Sequence, residues 1–445
     1  MCEHVSAVRQ TISLSNKSAT HSDQFHPLGP THGRRDALGL FQFGAGRRGA
    51  VTQVFRRLGV FVLLSLAWVG LLWPASSWAL TCRDAPALAW QSVVPGVAAV
   101  HGHWPSVTPA GRAHVATTVV LGQGQHVTVV DPGPTERVGR ALQQDLACRK
   151  LSHKLSSKGA PSAAPRVVGL INTHAHAEQV LANGAFGLAA AATSGTRDAM
   201  RKRCPDCLAA LRQDLGATAL RGTRIVVPTQ VLVDGQSLQA GGRAWRVREM
   251  RHAHSESDLV LWSEDGGIVL AGGLVDGPQL PVLAQGSVQG WLQALAELRA
   301  WQPQWLVGQQ LVSGPGQVQA ALQRQQQYLC GLVQYAWQGL DRGWSEAEAV
   351  QDLPPPQAWA ADVTPTQART PGADQTPKQS TDLWTTPSAK RTHPDLNEAW
   401  QNQQRQQHVF NQLRAWREVE LSWMDQTTRP SPWPGLCAST PDVGR

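Results

Sequence analysis

Thr173-His174-Ala175-His176-Ala177-Glu178-Gln179 places two imidazoles and a carboxylate close together, directly after the apolar run Arg166–Asn172. That run reads as a buried strand. In the extended segment that leaves a strand, alternate side chains point the same way, so His174 and His176 can reach one cation. A third nitrogen donor would complete a three-His site with a fourth position open to water. That is the arrangement of catalytic rather than structural zinc. The other histidines carry less weight. His101-Gly-His103 is an isolated pair, and His252 reads as a surface group or a support for a ligand. Cys204-Pro-Asp-Cys207 could be a redox pair or half a zinc site, but nothing thioredoxin-like surrounds it, so a short structural disulfide is expected.

The elements that must position these residues are readable in outline. Short apolar runs between Trp90 and Asp131 alternate with turns, and two strands meeting at Gln123-Gly124 form a hairpin that ends in Asp131-Pro132-Gly133. A helix is predicted over Thr135–Cys148. After the HAH loop, helices are predicted over Val180–Ala192 and Thr196–Leu215. Strands follow over Arg224–Val227, Arg243–Met250, Asp258–Trp262 and Ile268–Ala271. Helices over Gly290–Trp301 and Gly316–Leu340 come next, then a capping box at Ser345-Glu-Ala-Glu348. This order of strands, helices and strands favours a layered α/β domain with a mixed sheet.

The remaining chain is framing. The 445 residues carry a formal charge of +8, but eight basic and three acidic residues lie before Leu80, so the rest is only +3. No basic cluster marks the folded part, which argues against nucleic acid. Residues 51–79 have the layout of a secretory signal peptide: Arg56 and Arg57, the apolar run Leu58–Trp73, Pro74, then Ser77-Trp78-Ala79. The run is shorter than the ~20 residues of a membrane span, so contact with a membrane would come only through an uncleaved signal anchor. The protein is therefore expected to be periplasmic or otherwise extracytoplasmic. Residues 1–50 are too long and polar for an n-region and are read as a gene-model extension or disordered. Six cysteines follow the leader, an even number that fits disulfides in an exported chain without fixing their pairing. The main domain is placed at 90–350. Residues 354–394 form a Pro/Thr/Gln-rich disordered insertion, and a helix at 395–425 packs back on the main domain.

With these residues in place a family emerges. THAHAEQVLANGAF resembles the HxHxDH loop of the metallo-β-lactamase superfamily, and VTVVDPGPT resembles its strand ending in Asp-x-Gly, with Asp131 at the acidic position. His254-Ser-Glu-Ser-Asp258-Leu-Val resembles the segment that supplies a third histidine. The runs VLAGGLVDG and WLVGQQLVSGPG resemble the two later motifs. The resemblance covers about Val100–Gly316. It implies a four-layer αββα metallo-β-lactamase fold, here with a C-terminal helical extension, and a first metal site of His174, His176 and His254. Asp131 is expected to orient the loop rather than to bind metal. Pro281–Trp291 (P-V…G-S-x-x-G-W) and HVFNQLRAWREVE are most similar to exported zinc metallohydrolases associated with quinoprotein alcohol-oxidation systems.

The second metal site implied by the resemblance would use positions occupied here by Glu178, Gln179, Gly273 and Gln309. Glutamine is a poor zinc ligand and glycine offers none. One Zn2+ at most is expected. Two readings follow. In the first, zinc on three imidazoles lowers the pKa of a bound water towards about 7, Glu178 serves as general base, and a small-molecule substrate of unknown identity is hydrolysed. In the second, a catalytically inactive relative binds or assists an exported quinoprotein dehydrogenase. Fold alone does not choose between them.

Overall fold

The computed structural model describes residues 88–101, 116–123, 125–148, 165–265, 267–277, 279–349, 394–424 and 434–437. All of them fall in one compact unit. Seven strands in sequence order make the first sheet: β1 (Trp90–Val94), β2 (Val97–Val100), β3 (Thr118–Gln123), β4 (His126–Val130), β5 (Arg166–Ile171), β6 (Ala190–Ala192) and β7 (Gln230–Val231). It is antiparallel up to β4 and parallel from β4 to β7. The second sheet runs β13-β12-β11-β10-β9-β8. Its strands are β8 (Ser237–Ala240), β9 (Arg243–Arg251), β10 (Ser257–Ser263), β11 (Ile268–Asp276), β12 (Trp305–Gln309) and β13 (Leu311–Ser313). Only β11 and β12 pair in parallel.

Period-two alternation decides which layer each side chain enters. Val119, Leu121 and Val130 of the first sheet meet Trp245, Val247, Leu259, Leu261, Ile268 and Leu270 of the second in one core between the sheets. Their neighbours turn outward. Val120, Val127 and Val129 pack under helix α1 (Glu136–Cys148) through Leu142 and Leu146. Val260, Val269 and Ala271 pack under α4 (Val288–Ala300) and α5 (Val318–Asp341) through Trp291, Leu295, Leu322 and Leu329. Sheets buried on both faces need apolar residues at nearly every position, which is why β10 and β11 read as continuous hydrophobic runs. The result is the αββα metallo-β-lactamase fold.

The loop after β5 turns into the short helix α2 (Ala177–Val180) and a 3-10 turn, Leu181–Ala185. The helix expected over Val180–Ala192 does not form. Gly187 adopts φ 63, the Asn183 amide bonds Asn172 and the Val226 carbonyl, and Ala190–Ala192 instead extends beside β5. Alanine content misleads here because the sheet edge offers hydrogen bonds that outweigh a weak helix propensity. The strand expected over Arg224–Val227 is also absent, and the paired segment is Gln230–Val231, which adds to β6. Helix α3 (Ser194–Ala219) starts at Thr193, whose hydroxyl accepts from the Thr196 N–H. The capping box at Ser345 and Glu348 opens α6 (Glu346–Ala349) with reciprocal bonds.

Helix α7 (Pro394–Met424) packs on α5, and the short α8 (Pro434–Cys437) is tied to α5 by a disulfide between Cys330 and Cys437, 107 residues apart. Cys148 is also disulfide-bonded. The short disulfide expected between Cys204 and Cys207 does not form, and both side chains are buried in the core that α3 makes with the HAH loop. Among the described residues no helix is long and apolar enough to cross a membrane. Residues 1–50, the leader at 51–79, His103 and most of the insertion lie outside the described residues.

Candidate metal centre

The chain brings the reactive residues to one rim, where the parallel strands β4, β5, β11 and β12 end. Asp131 follows β4 with φ 53, a left-handed conformation that is uncommon away from glycine. Its carboxylate accepts from the Thr173 backbone N–H (2.8 Å) and the Thr173 hydroxyl (2.6 Å), and so fixes the start of the HAH loop. Burial pushes the Asp131 carboxyl up to about 7, against the pull of these two bonds.

That carboxylate sets the tautomer of His174. The Thr173 hydroxyl has one proton, and an ionised Asp131 takes it. The same oxygen lies 2.8 Å from His174 Nδ1, so it accepts from Nδ1–H. His174 Nε2 is then an unprotonated lone pair. It is buried without a hydrogen-bond partner. An orphaned buried acceptor calls for a compensating group. A metal cation is one such group, and an oriented histidine whose second nitrogen is hydrogen-bonded is the usual ligand arrangement.

His176 and His254 complete the cluster. The three rings are mutually near perpendicular, with centroids 4.7 to 4.9 Å apart. Their donor atoms all lie within 4.8 Å of one another. His254 Nε2 is 3.0 Å from His176 Nδ1. Tetrahedral ligands 2.0–2.1 Å from zinc would be about 3.3 Å apart, a spacing between the 3.0 Å of this pair and the 4.8 Å that bounds the cluster. Burial drives the His174 pKa down to about 3. It holds His176 and His254 well below the usual value too, helped by the neighbouring imidazoles and, for His176, by Arg203. Neutral imidazole is the ligand form, so the three residues fit a zinc ion.

His254 is braced from two sides. Trp291 sets its ring against it, 5.0 Å between centroids, and donates its indole N–H to the Leu274 carbonyl at 2.8 Å. Asp258 accepts from the Ser255 N–H and hydroxyl, which closes the turn that follows the histidine. On α3, Arg203 pairs with Glu256 in the same turn.

Glu178 lies two residues past His176, 7% exposed, and its carboxylate makes no hydrogen bond to the described residues. It does not join the converging donors, and its charge bears on Cys204 and Asp276. Gln179 is 2.8 Å from Gln309, Nε2 donating to Oε1, so an amide pair bridges the loop to the end of β12. Below that pair a small cavity, no roomier than about one water, is lined by Asp131, Thr173, Gln179, Gly272 and Gln309 among others. Gly273 has no room for a side chain. A Cβ there would sit 2.5 Å from His254 Nε2 and 3.0 Å from His174 Cε1.

His252 stands apart, exposed and at φ 51. His101 bonds Thr117 and Gln91 instead. Three contributors were not singled out in the sequence. Asp276 is buried with Oδ2 unpartnered, and burial raises its carboxyl well above the ordinary range. Trp291 and Arg203 act through contacts between distant segments, for which sequence carries no local signal.

Residues 111–303 match the family model described as the metallo-beta-lactamase superfamily. The match covers a little under half of the chain. Similar solved structures include a double mutant of the sec-alkyl sulfatase PisA1 (13% identity, TM-score 0.45, covering 60% of this chain and 45% of that one). A metallo-beta-lactamase from Pontibacter korlensis has 15% identity and TM-score 0.40, covering 55% of this chain and 99% of its own. A beta-lactamase domain protein from Burkholderia ambifaria has 18% identity and TM-score 0.42, covering 60% and 80%. The chain thus spans less than half the length of the sulfatase. No curated protein sequence matches it.

Proposed function

We propose that the protein is an exported hydrolase that works with a single zinc ion on His174, His176 and His254, its second metal position having been lost. The observation that carries this reading is the buried, neutral three-imidazole cluster whose His174 Nε2 has no partner of its own. Zinc held there supplies Lewis-acid activation of water. The chain's residues do the rest. Asp131 and Thr173 fix the His174 tautomer, Trp291 holds the His254 ring, and Glu178 offers a carboxylate free of hydrogen bonds that can take the proton of an attacking water. Export is supported by the leader-like segment and by the Cys330–Cys437 bond, which belongs to an oxidising compartment.

A second reading draws on the other side of the rim. The Gln179–Gln309 amide pair and the filled space at Gly273 leave Glu178 as the one carboxylate among the four positions where the superfamily's second metal would be held. This favours an inactive relative that binds or assists an exported quinoprotein dehydrogenase. One experiment separates the two. Wild type and Glu178→Gln are loaded with zinc and assayed on a panel of esters, lactones, thioesters and phosphoesters. The hydrolase reading expects Glu178→Gln to retain its zinc and lose turnover by about 10²–10⁴-fold. Turnover absent from wild type, or insensitive to chelator, supports the accessory reading.

A further inference from the structure

Two segments, Pro281–Trp291 and the HVFNQLRAWREVE stretch at 408–420, are each other's partners. We infer that together they form a strut which sets the position of His254, with Asn411, Arg414 and Glu418 as positioning residues. Backbone in an irregular segment must find partners for its N–H and C=O groups. Between Leu280 and Gln289 those partners come largely from one face of α7. Gln404 Oε1 accepts from Leu280 N (2.8 Å), and Asn411 Oδ1 accepts from Leu283 N (3.2 Å). Asn411 Nδ2 donates to the Pro281 carbonyl (2.6 Å), and Arg414 Nε donates to the Leu283 carbonyl (3.1 Å). The Glu418 carboxylate accepts from Val288 N (2.8 Å) and Gln289 N (3.0 Å), the first turn of α4. A carboxylate is well placed there, against the positive end of a helix dipole. Residues 404, 411, 414 and 418 follow the three- and four-residue spacing of a single helix face.

The other side of the same segment rests on the metal turn. Ser287 N donates to the His252 and Ala253 carbonyls (3.2 and 3.1 Å). Gly286 lies so close to the Ala253 carbonyl, and Gly290 to the His252 carbonyl, that neither could carry a Cβ. Trp291, at the end of the segment, touches the His254 ring. The chain of contact therefore runs from α7 through residues 280–291 to the backbone and ring of one zinc donor. His174 and His176 receive no such support from α7, since Asp131 and the β5 end hold them.

The test compares Asn411→Ala and the milder Glu418→Gln with Val419→Ala, which removes buried apolar volume from the same helix but no hydrogen bond to residues 280–291. Zinc affinity is measured on the full chain by competition with a chromophoric chelator, alongside Tm. Hydrogen–deuterium exchange is followed on the metal-free proteins. The expected result is a zinc affinity weaker by about tenfold or more in Asn411→Ala, a smaller loss in the same direction in Glu418→Gln, and no change beyond about twofold in Val419→Ala despite its lower Tm. Exchange should rise in residues 250–258 and 280–291 and stay at the wild-type level in residues 166–176. Affinity that tracks Tm across all three variants, or exchange that rises evenly over the chain, would overturn the strut. Should Asn411→Ala fail to fold, Glu418→Gln decides alone. If wild type holds no zinc, the zinc reading falls while the exchange pattern still decides this one.

Discussion

The two sides of the rim are built from the same kind of strand end and have gone different ways. On the β5 side every element converges on three imidazoles: Asp131 takes two bonds from Thr173, Thr173 orients His174, and the rings stand perpendicular around a common centre. On the β11–β12 side the contacts are among neutral groups. Gln179 and Gln309 pair, and Gly273 yields its space to His254. One side presents acceptors poised for a cation, and the other presents an amide pair and a glycine backbone. The two sides can differ without disturbing the fold, because the layers are held by the cores between and outside the sheets rather than by the rim.

The largest effect that could break this contrast is removal of a donor. His174→Ala, His176→Ala and His254→Ala should each abolish zinc retention through gel filtration, since two nitrogen donors give too little affinity. His252→Ala should retain wild-type zinc, because that side chain is exposed and outside the cluster. Metal analysis by mass spectrometry reads both, and undiminished zinc in His254→Ala would remove that residue from the centre.

Next in size is an attempt to build a second metal position. By motif position, Gly273→Asp should return a bridging carboxylate and a second ion. The geometry says otherwise. The new Cβ would lie 2.5 Å from His254 Nε2, so the ring must move, at a cost of about 1–3 kcal/mol of overpacking. The expected outcome is a lower Tm and zinc at or below that of wild type. Two ions per chain in Gly273→Asp would show that the rim is more adaptable than its packing suggests.

How far the sequence alone reached depends on the kind of contact involved. The HAH loop, the strand before it and His254 are legible because strand periodicity and motif order place them locally. Asp131 is legible as an orienting residue for the same reason, and it meets Thr173 only 42 positions away across adjacent parallel strands. The 180–192 region is misread because local alanine propensity is overruled by the open edge of β5. The expected Cys204–Cys207 disulfide fails on α3, where both side chains turn into the core beside Ala175. Trp291 against His254, and Asn411 against Pro281 across 130 positions, have no local signature at all. Such contacts exist only after the layers have assembled.

The smallest expected effect tests whether the glutamine side is self-contained. Gln179→Leu alone leaves Gln309 Oε1 without its donor, and Gln309→Leu alone leaves Gln179 Nε2 without its acceptor, in a region where both residues are buried. Each single change should cost about 1–3 kcal/mol of stability, the penalty of an unsatisfied buried polar group. Gln179→Leu with Gln309→Leu should cost less than the sum of the two, because neither partner is left unpaired and leucine is close to glutamine in size. Denaturant unfolding of the four proteins gives the coupling directly. Zinc affinity, measured in the same set, should stay within about twofold of wild type throughout, since neither amide is among the donors that converge. An affinity loss in either single variant comparable to that of a histidine variant would join the two sides of the rim into one site, and the division between a metal half and a neutral half would have to be abandoned.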